Sequence, residues 1–219
     1  MAQLSIASPT PAAVCDVPLP AFRARRGWQS GLPTLHAGQA ALRELKLGDA
    51  TALFQAMSGG DVSRFISPPP STLQGFEQFL HWAQRERVAG THVCFGILAP
   101  GTDVPVGLFQ IRALEGGFRV SEWGFALARE HWGTGLFVES AQLALEFTFD
   151  ELGVHRLEAR AAVRNGRGNA ALRKLGAVQE GVLRQSFFRH GEYMDQALWS
   201  ILADDWQYGR PDPILPLFH

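Results

Sequence analysis

The stretch FRVSEWGFALAREHWGTGLFVESAQLALEFTFDEL, residues 118–152, decides how this chain folds. Its opening part, Phe118 to Ala128, reads as a strand that runs straight into Arg129-Glu130-His131-Trp132-Gly133-Thr134-Gly135. A helix then extends to about Leu152. It carries Leu136, Phe137, Leu143, Leu145, Phe147 and Phe149, is apolar on most sides, and is therefore expected to be buried. A helix N-terminus presents unpaired peptide N–H groups and about half an elementary positive charge. Gly133 and Gly135 remove the side chains that would keep an anion away, so the N–H groups of 133–136 can close on a phosphate or pyrophosphate. A Gly-x-Gly at a helix start is also often only a tight turn, and both readings stand at this point.

Working outward, residues 1 to about 30 are rich in Ala, Pro and Ser, and Pro9, Pro11, Pro18 and Pro20 block regular structure. The expected organisation is a flexible or surface-wrapping arm (1–35), a single domain (36–208) and a tail (209–219). A short strand is expected at Leu42–Leu47, then a helix from Gly48-Asp49 to Gly59-Gly60 with Leu53, Phe54 and Met57 on its apolar face. After Pro68-Pro69-Pro70, Ser71 or Thr72 can cap a helix carrying Phe76, Phe79, Leu80 and Trp82 and ending near Gly90. Strands are expected at about 92–98, 104–113 and 118–128, the last two joined by a turn at Glu115-Gly116-Gly117. Beyond the buried helix come a strand at 155–163, a glycine-broken turn, a short helix ending at Leu175-Gly176, and strands near 177–188 and 192–202. This order gives an α/β domain with a mixed sheet.

Composition removes several function classes. The chain has 219 residues, 46% hydrophobic and 19% charged, with a formal net charge of −1. That balance fits a globular domain with a sizeable core and supplies no general attraction to nucleic acid or an anionic membrane. The Arg23, Arg25, Arg26 run reads as a solvated segment or as a contact for a phosphate or partner. Two cysteines, Cys15 and Cys94, make neither a disulfide framework nor a thiolate metal site, and the seven histidines have no metal spacing. No metal is expected. Without a secretory signature or an 18-residue apolar run, the protein is expected to be cytoplasmic. Gly166-x-Gly168-x-x-Ala171 matches a dinucleotide fingerprint in form, but it sits late, opens a short helix and is followed by a hairpin-like pair. There is no P-loop and no nucleophile elbow.

Several segments, in order from about residue 40 to 206, resemble the GNAT acetyltransferase superfamily and its RimJ/RimL-like branch of ribosomal-protein N-terminal acetyltransferases. Leu42-Arg43-x-Leu45 with Gly48-Asp49-Ala50 is similar to the branch's opening strand and helix. Glu122-Trp123-Gly124-Phe125 resembles its Glu-Ile-Gly-Tyr strand, and Trp132-Gly133-Thr134-Gly135 with Glu139 resembles its acetyl-CoA loop. Leu152-Gly153-Val154-His155-Arg156, Asn165 with Lys174-Leu175-Gly176, and Gly191-Glu192-Tyr193-x-Asp195 complete the set. The resemblance implies a mostly antiparallel sheet flanked by helices, with splayed strands forming an acyl-CoA slot. It implies acetyl-CoA as cosubstrate, an amine acceptor and, in this branch, a possible homodimer. Backbone groups of Phe125 and Leu127 would pair with the pantetheine arm, the loop Trp132, Gly133, Thr134, Gly135 and Leu136 would hold the pyrophosphate, and Asn165 would bond the thioester region. The chain departs from the family's pattern at Phe137, where Gly or Ala is usual, at Gly168, often Ser, and at Leu172, where many relatives place a Tyr that protonates the leaving thiolate. Phe137 must therefore turn its ring into the core.

Amide formation needs a neutral amine. At pH 7 deprotonation costs about 4–5 kcal/mol for a lysine amine and about 1 kcal/mol for an α-amine. Glu122, on the strand beside the proposed slot, is the candidate general base; the same carboxylate also reads as a structural group between the splayed strands. Glu139, the pair Tyr193 and Asp195, and the pair His155 and Arg156 read as structural. The acceptor site is expected from residues 53–90 and the arm. The acceptor is a peptide N-terminus or a small-molecule amine. Two other readings are an acyl-CoA-binding or sensing protein without turnover and a transferase of longer acyl groups.

Overall fold

The computed structural model describes residues 26–208; the expected tail, the arm's residues up to 25, Cys15, Arg23 and Arg25 lie outside them. One eight-stranded open sheet carries the fold, in the order β1-β2-β3-β4-β5-β6-β8-β7. Its strands are β1 (Leu35–Ala37), β2 (Ala40–Glu44), β3 (His92–Leu98), β4 (Pro105–Ala113), β5 (Val120–Leu127), β6 (Arg156–Ala162), β7 (Val178–Arg189) and β8 (Glu192–Leu202). Every neighbouring pair is antiparallel except β5 and β6, which run parallel. Helices α1 (Ala50–Met57), α2 (Gly60–Ser63), α3 (Leu73–Ala89), α4 (Leu136–Glu146), α5 (Gly166–Lys174) and α6 (Ala203–Tyr208) complete the described chain.

The two sheet faces are covered differently. On one, α4 contributes Leu136, Ala141, Ala144 and Leu145 to a core shared with Phe95, Phe109, Ile111, Trp123 and Leu157. Burying each such large side chain stabilises the fold by about 1.5–3 kcal/mol, which is why so apolar a helix lies inside. On the other face, α1 and α3 place Leu53, Met57, Phe76 and Leu80 over Cys94, Leu108 and Ala126. That cover stops at β5. Burial pushes the Cys94 thiol up, leaving it an inert core group.

Local rules explain most boundaries. Thr72 caps α3, its hydroxyl accepting from the Gly75 N–H at 3.0 Å, and Gly90 closes the helix at φ 78°. The Leu42-Arg43-x-Leu45…Gly48-Asp49 segment is a strand-to-helix corner. There Arg43 makes a bidentate pair with Asp49 at 2.7 and 2.9 Å, and Asp49 also accepts from the Lys46 N–H at 2.7 Å. Asp49 and Asp103 together hold the Arg43 guanidinium above its ordinary range.

Four features differ from the sequence expectations. The first strand begins at Ala40, not Leu42, and forms a hairpin with β1, a strand of three residues and too short to show alternation. The expected strand start at Phe118 is displaced to Val120, because Phe118 sits at φ 62° and packs its ring on Trp28 at 5.5 Å. Trp28, within the expected arm, is a buried core residue. The buried helix does not run α-helical to Leu152: from Phe147 to Glu151 it widens into a π turn, where the Thr148 hydroxyl donates to the Ala144 carbonyl at 2.6 Å.

Candidate functional site

Strands β5 and β6 stay paired only over Val120–Arg156, Ser121–Leu157 and Glu122–Glu158. Beyond Glu122 they part, and the divergence fixes which backbone groups are bare. The Ala128 N–H donates to Val106 at 2.8 Å on the β4 side, and β5 stays in register with β4 through Leu127. Alternation along a strand then turns the peptide groups of Trp123, Phe125 and Leu127 away from β4, toward the opening. The result is a slot with one strand edge for a wall. The Leu127 carbonyl already accepts from the Trp132 indole N–H at 2.8 Å, so Phe125 offers the freer peptide.

At the slot's outer end, Gly133 and Gly135 adopt φ 78° and 90°, a left-handed backbone that other residues resist. A Cβ on Gly133 would meet nothing within 4 Å, so the loop's concave side is open. Among the described residues, the peptide N–H groups of Gly133, Thr134 and Gly135 have no acceptor, while that of Leu136 reaches the Thr134 hydroxyl at 3.4 Å. Successive unpaired N–H groups ahead of an 11-residue helix are the groups an anion needs. The Leu136 side chain is in the core, and the Thr134 hydroxyl bonds the His131 carbonyl at 2.9 Å, so each presents chiefly its backbone to the loop.

Residues remote in sequence brace this loop. The Gln39 amide nitrogen reaches the Thr134 carbonyl at 3.2 Å and Glu139 Oε1 at 3.2 Å, and the Gln39 N–H donates to Glu139 Oε2 at 3.0 Å. Glu139 is thus a latch between the β1–β2 turn and α4. Arg167 lies 3.9 Å above the Trp132 ring, and with Arg129 and Lys174 it lines a cavity of about 650 Å³ over the loop. Sequence reading missed these three cations and Gln39; only the position of Arg167 and Lys174 on the helix after Asn165 could have signalled two of them. The Phe137 ring packs on Phe125 at 4.7 Å and Phe109 at 5.8 Å, half-buried against the core while also lining the outer cavity.

The inner end holds Glu122. Its two oxygens accept from Arg112 at 2.6 Å and Arg160 at 2.8 Å, a fork assembled from β4, β5 and β6. A second cavity of about 650 Å³ contains Glu122, Arg112 and Arg160 and shares Phe125, Ala126, Asn165 and Gly168 with the outer one. Asn165 caps α5, its Oδ1 accepting from the Gly168 N–H at 2.9 Å. A Cβ at Gly168 would stand 2.5 Å from Asn165 Nδ2, which explains the glycine there. Leu172 is a buried core residue that also lines the inner cavity. Tyr193 is exposed against Phe188, Asp195 accepts from the Gln185 N–H at 2.8 Å, and Arg156 pairs with Glu158 and Glu180, all outside the slot. Among the described residues, no cluster of His, Cys, Asp and Glu could hold a metal ion, and no helix is long and apolar enough to cross a membrane.

Comparison with known proteins agrees with this geometry. Residues 40–178 match the family described as acetyltransferase (GNAT) domain. The chain is 26% identical over 176 residues to the uncharacterized N-acetyltransferase p20 of Bacillus licheniformis, covering 80% of this chain and 99% of that protein. It is 25% identical over 122 residues to the [ribosomal protein uS5]-alanine N-acetyltransferase of Escherichia coli, covering 55% and 63%. Mycobacterium smegmatis RimJ in complex with CoA-disulfide shares the fold at a TM-score of 0.69 and 21% identity, over 76% of this chain and 83% of that one. A strand fork, a glycine loop at a buried helix and a family match over most of the domain converge: this chain belongs to the GNAT acetyltransferase family and is an acyltransferase.

Proposed function

We propose that this protein transfers the acetyl group of acetyl-CoA to a primary amine by direct attack within a ternary complex. The observation that carries the reading is the parting of β5 and β6 after Glu122, which bares the Phe125 peptide along the same cavity as Gly133 and Gly135. These groups fit acetyl-CoA: a strand edge for the amide-bearing arm, a left-handed N–H nest for the pyrophosphate, and Arg167 and Lys174 for further phosphate charge, Arg129 being paired with Asp61. When bound, the cosubstrate supplies an activated acyl group on sulfur.

The protein's own residues supply position and proton handling. Glu122 is the base in this reading. Each carboxylate oxygen gives one lone pair to a guanidinium and keeps a second, so an amine proton can still reach it directly or through water. In the balanced transfer the amine's N–C bond forms, the C–S bond breaks, the amine gives up one proton and the thiolate takes one. Leu172 stands where many relatives place a tyrosine hydroxyl, so in this reading the thiolate takes its proton from solvent or from another group of the same cavity. Asn165 lines both cavities while its Oδ1 caps α5.

Calorimetric titration of acetyl-CoA, followed by a thiol-release assay over a panel of amines, tests the reading. Saturable binding and amine-dependent thiol release are expected. Absence of binding by acetyl-CoA and longer acyl-CoAs would refute it, and preference for a longer acyl group would reassign the donor.

A further inference from the structure

A row of alternating charges runs across the sheet from β4 to β7. Register places Arg112 on β4 beside Glu122 on β5, Glu122 beside Glu158 on β6, and Glu158 beside Ser200 on β8. Two carboxylates side by side would repel, and Arg160 joins them, 2.8 Å from Glu122 and 3.6 Å from Glu158. Arg156 carries the row on, 2.9 Å from Glu158 and in a bidentate pair with Glu180, which also accepts from the Ser200 hydroxyl at 2.7 Å. The row is therefore saturated at its Glu180 end. At its other end stands Arg112, which donates through Nη2 to Glu122 Oε2 at 2.6 Å.

Arg112 is left with unused capacity. A guanidinium has five N–H donors, and beyond its bond to Glu122 the others make none among the described residues. The Arg112 side chain is 56% exposed and lines the inner cavity together with Glu122, so a ligand there can touch both. Charge in that cavity points the same way. Arg112 and Arg160 face a single carboxylate, Glu122, and burial pushes the His92 imidazole down to about 4, so it is neutral at pH 7. A polyamine would bring more positive charge to two guanidiniums. A ligand with a carboxylate beside its amine would complete the row instead. Spacing agrees as well. In an α-amino acid the nitrogen and the carboxyl carbon lie about 2.5 Å apart, fixed by two bonds and the angle between them. Arg112 Nη2 and Glu122 Oε2 present the opposite charges at 2.6 Å.

We propose that the acceptor is a free α-amino acid, its carboxylate held by Arg112 and its amine lying at Glu122. This rests on the acetyl-transfer reading above. The N–C bond forms as the C–S bond breaks, the amine's proton passes to Glu122, and CoA leaves as a thiolate that is then protonated. The twenty amino acids are screened for thiol release, and the best of them is compared with the amine that lacks only its α-carboxylate. Wild type should favour the amino acid at least about a hundredfold in kcat/KM, since a site built for a charged group rejects the analogue that lacks it. In Arg112→Gln that ratio should fall at least about tenfold, and Arg112→Lys, which keeps the charge, should retain more of it than the glutamine variant. The greater basicity of the plain amine, and any effect of Arg112 on Glu122, act on both substrates of a pair alike, so the change in ratio isolates the carboxylate contact. The wild-type ratio needs no variant and is independent of how either one folds. A ratio near one in wild type, a ratio unchanged in both variants, or preferred turnover of spermidine or of an alanine-initiated peptide overturns the proposal while amine acetylation itself stands. Absence of acetyl-CoA binding in wild type would instead overturn the reading beneath it, and this proposal with it.

Discussion

The slot's outer end centres on a backbone loop ringed by cations, and its inner end on side chains drawn from distant strands. At the outer end the groups proposed to meet the pyrophosphate are peptide N–H groups whose direction is set by Gly133 and Gly135 at positive φ. At the inner end the proposed base, the Glu122 carboxylate, is held by two guanidiniums, the three side chains coming from β4, β5 and β6. A backbone site tolerates change in what surrounds it but not in its glycines. A side-chain site can be rebuilt one residue at a time, which is where specificity can vary while the cofactor end stays fixed.

The largest expected effect attacks the backbone end. Gly135→Glu puts a charge and a side chain at a φ of 90°, 3.4 Å from the Gln39 amide nitrogen, on the loop meant for phosphate. Acetyl-CoA affinity should fall at least about a thousandfold, or about 4 kcal/mol, by calorimetry. Gly133→Ala is the milder companion, in which left-handed strain of about 1–2 kcal/mol should weaken binding about tenfold. Circular dichroism melts separate loss of the site from loss of the fold. Binding that survives in a folded Gly135→Glu would place the anion site elsewhere.

The next attacks the side-chain end. Glu122→Gln keeps the shape of the fork but leaves Arg112 and Arg160 facing a neutral group. If Glu122 moves the proton, kcat should fall about a hundredfold, within the range for general base catalysis, while the acetyl-CoA Kd stays within about threefold. A kcat within about threefold of wild type would make the fork structural and dissolve the contrast in role between the two ends.

The same division explains what the sequence made legible. Gly133, Gly135 and the apolar run behind them constrain the chain locally, so strand, loop and buried helix were readable together. The packing of Phe137 on the core was expected from the same loop, but its ring is only half-buried and also lines the outer cavity. The Arg112–Glu122–Arg160 fork was not readable, because it needs the register of β5 on β4 and on β6, and Arg160 stands 38 residues from Glu122. His92 opens a strand buried at every position and so passes for core in the sequence. The Gln39–Glu139 latch spans 100 residues and depends on a three-residue strand with no pattern of its own. The strand start at Phe118 was misplaced because its positive φ serves a tertiary contact with Trp28.

A smaller effect sharpens the inner end through pH. His92 goes from about 6.5 in the unfolded chain to about 4 in the folded one. Between those values the unfolded chain binds the extra proton, so stability rises with pH across the window and is lost as pH falls through it. From pH 6.5 to 4.5 this one group should remove about 2 kcal/mol of stability. Urea unfolding at the two pH values, wild type beside His92→Phe, should show that extra loss in wild type alone. Equal losses in the two proteins would mean that the imidazole is solvated and not buried.

The smallest expected effect lies where the two ends meet. Restoring the family's usual residue with Gly168→Ser introduces a Cβ that would stand 2.5 Å from Asn165 Nδ2 and 2.9 Å from its Cγ. The Asn165 side chain must then swing away and release the Gly168 N–H that it caps at 2.9 Å. Loss of such a cap costs about 1 kcal/mol, so the melting temperature should drop by about 2–4 °C in a protein of this size. If Asn165 Nδ2 also serves the cofactor wall, the acetyl-CoA Kd should rise about threefold in the same variant. The clash itself is checked in an Asn165→Ala background. There the cap is already gone and the opposing amide is absent, so the added serine should cost almost nothing; a serine penalty of equal size in both backgrounds would show that Gly168 is a glycine for a reason other than Asn165.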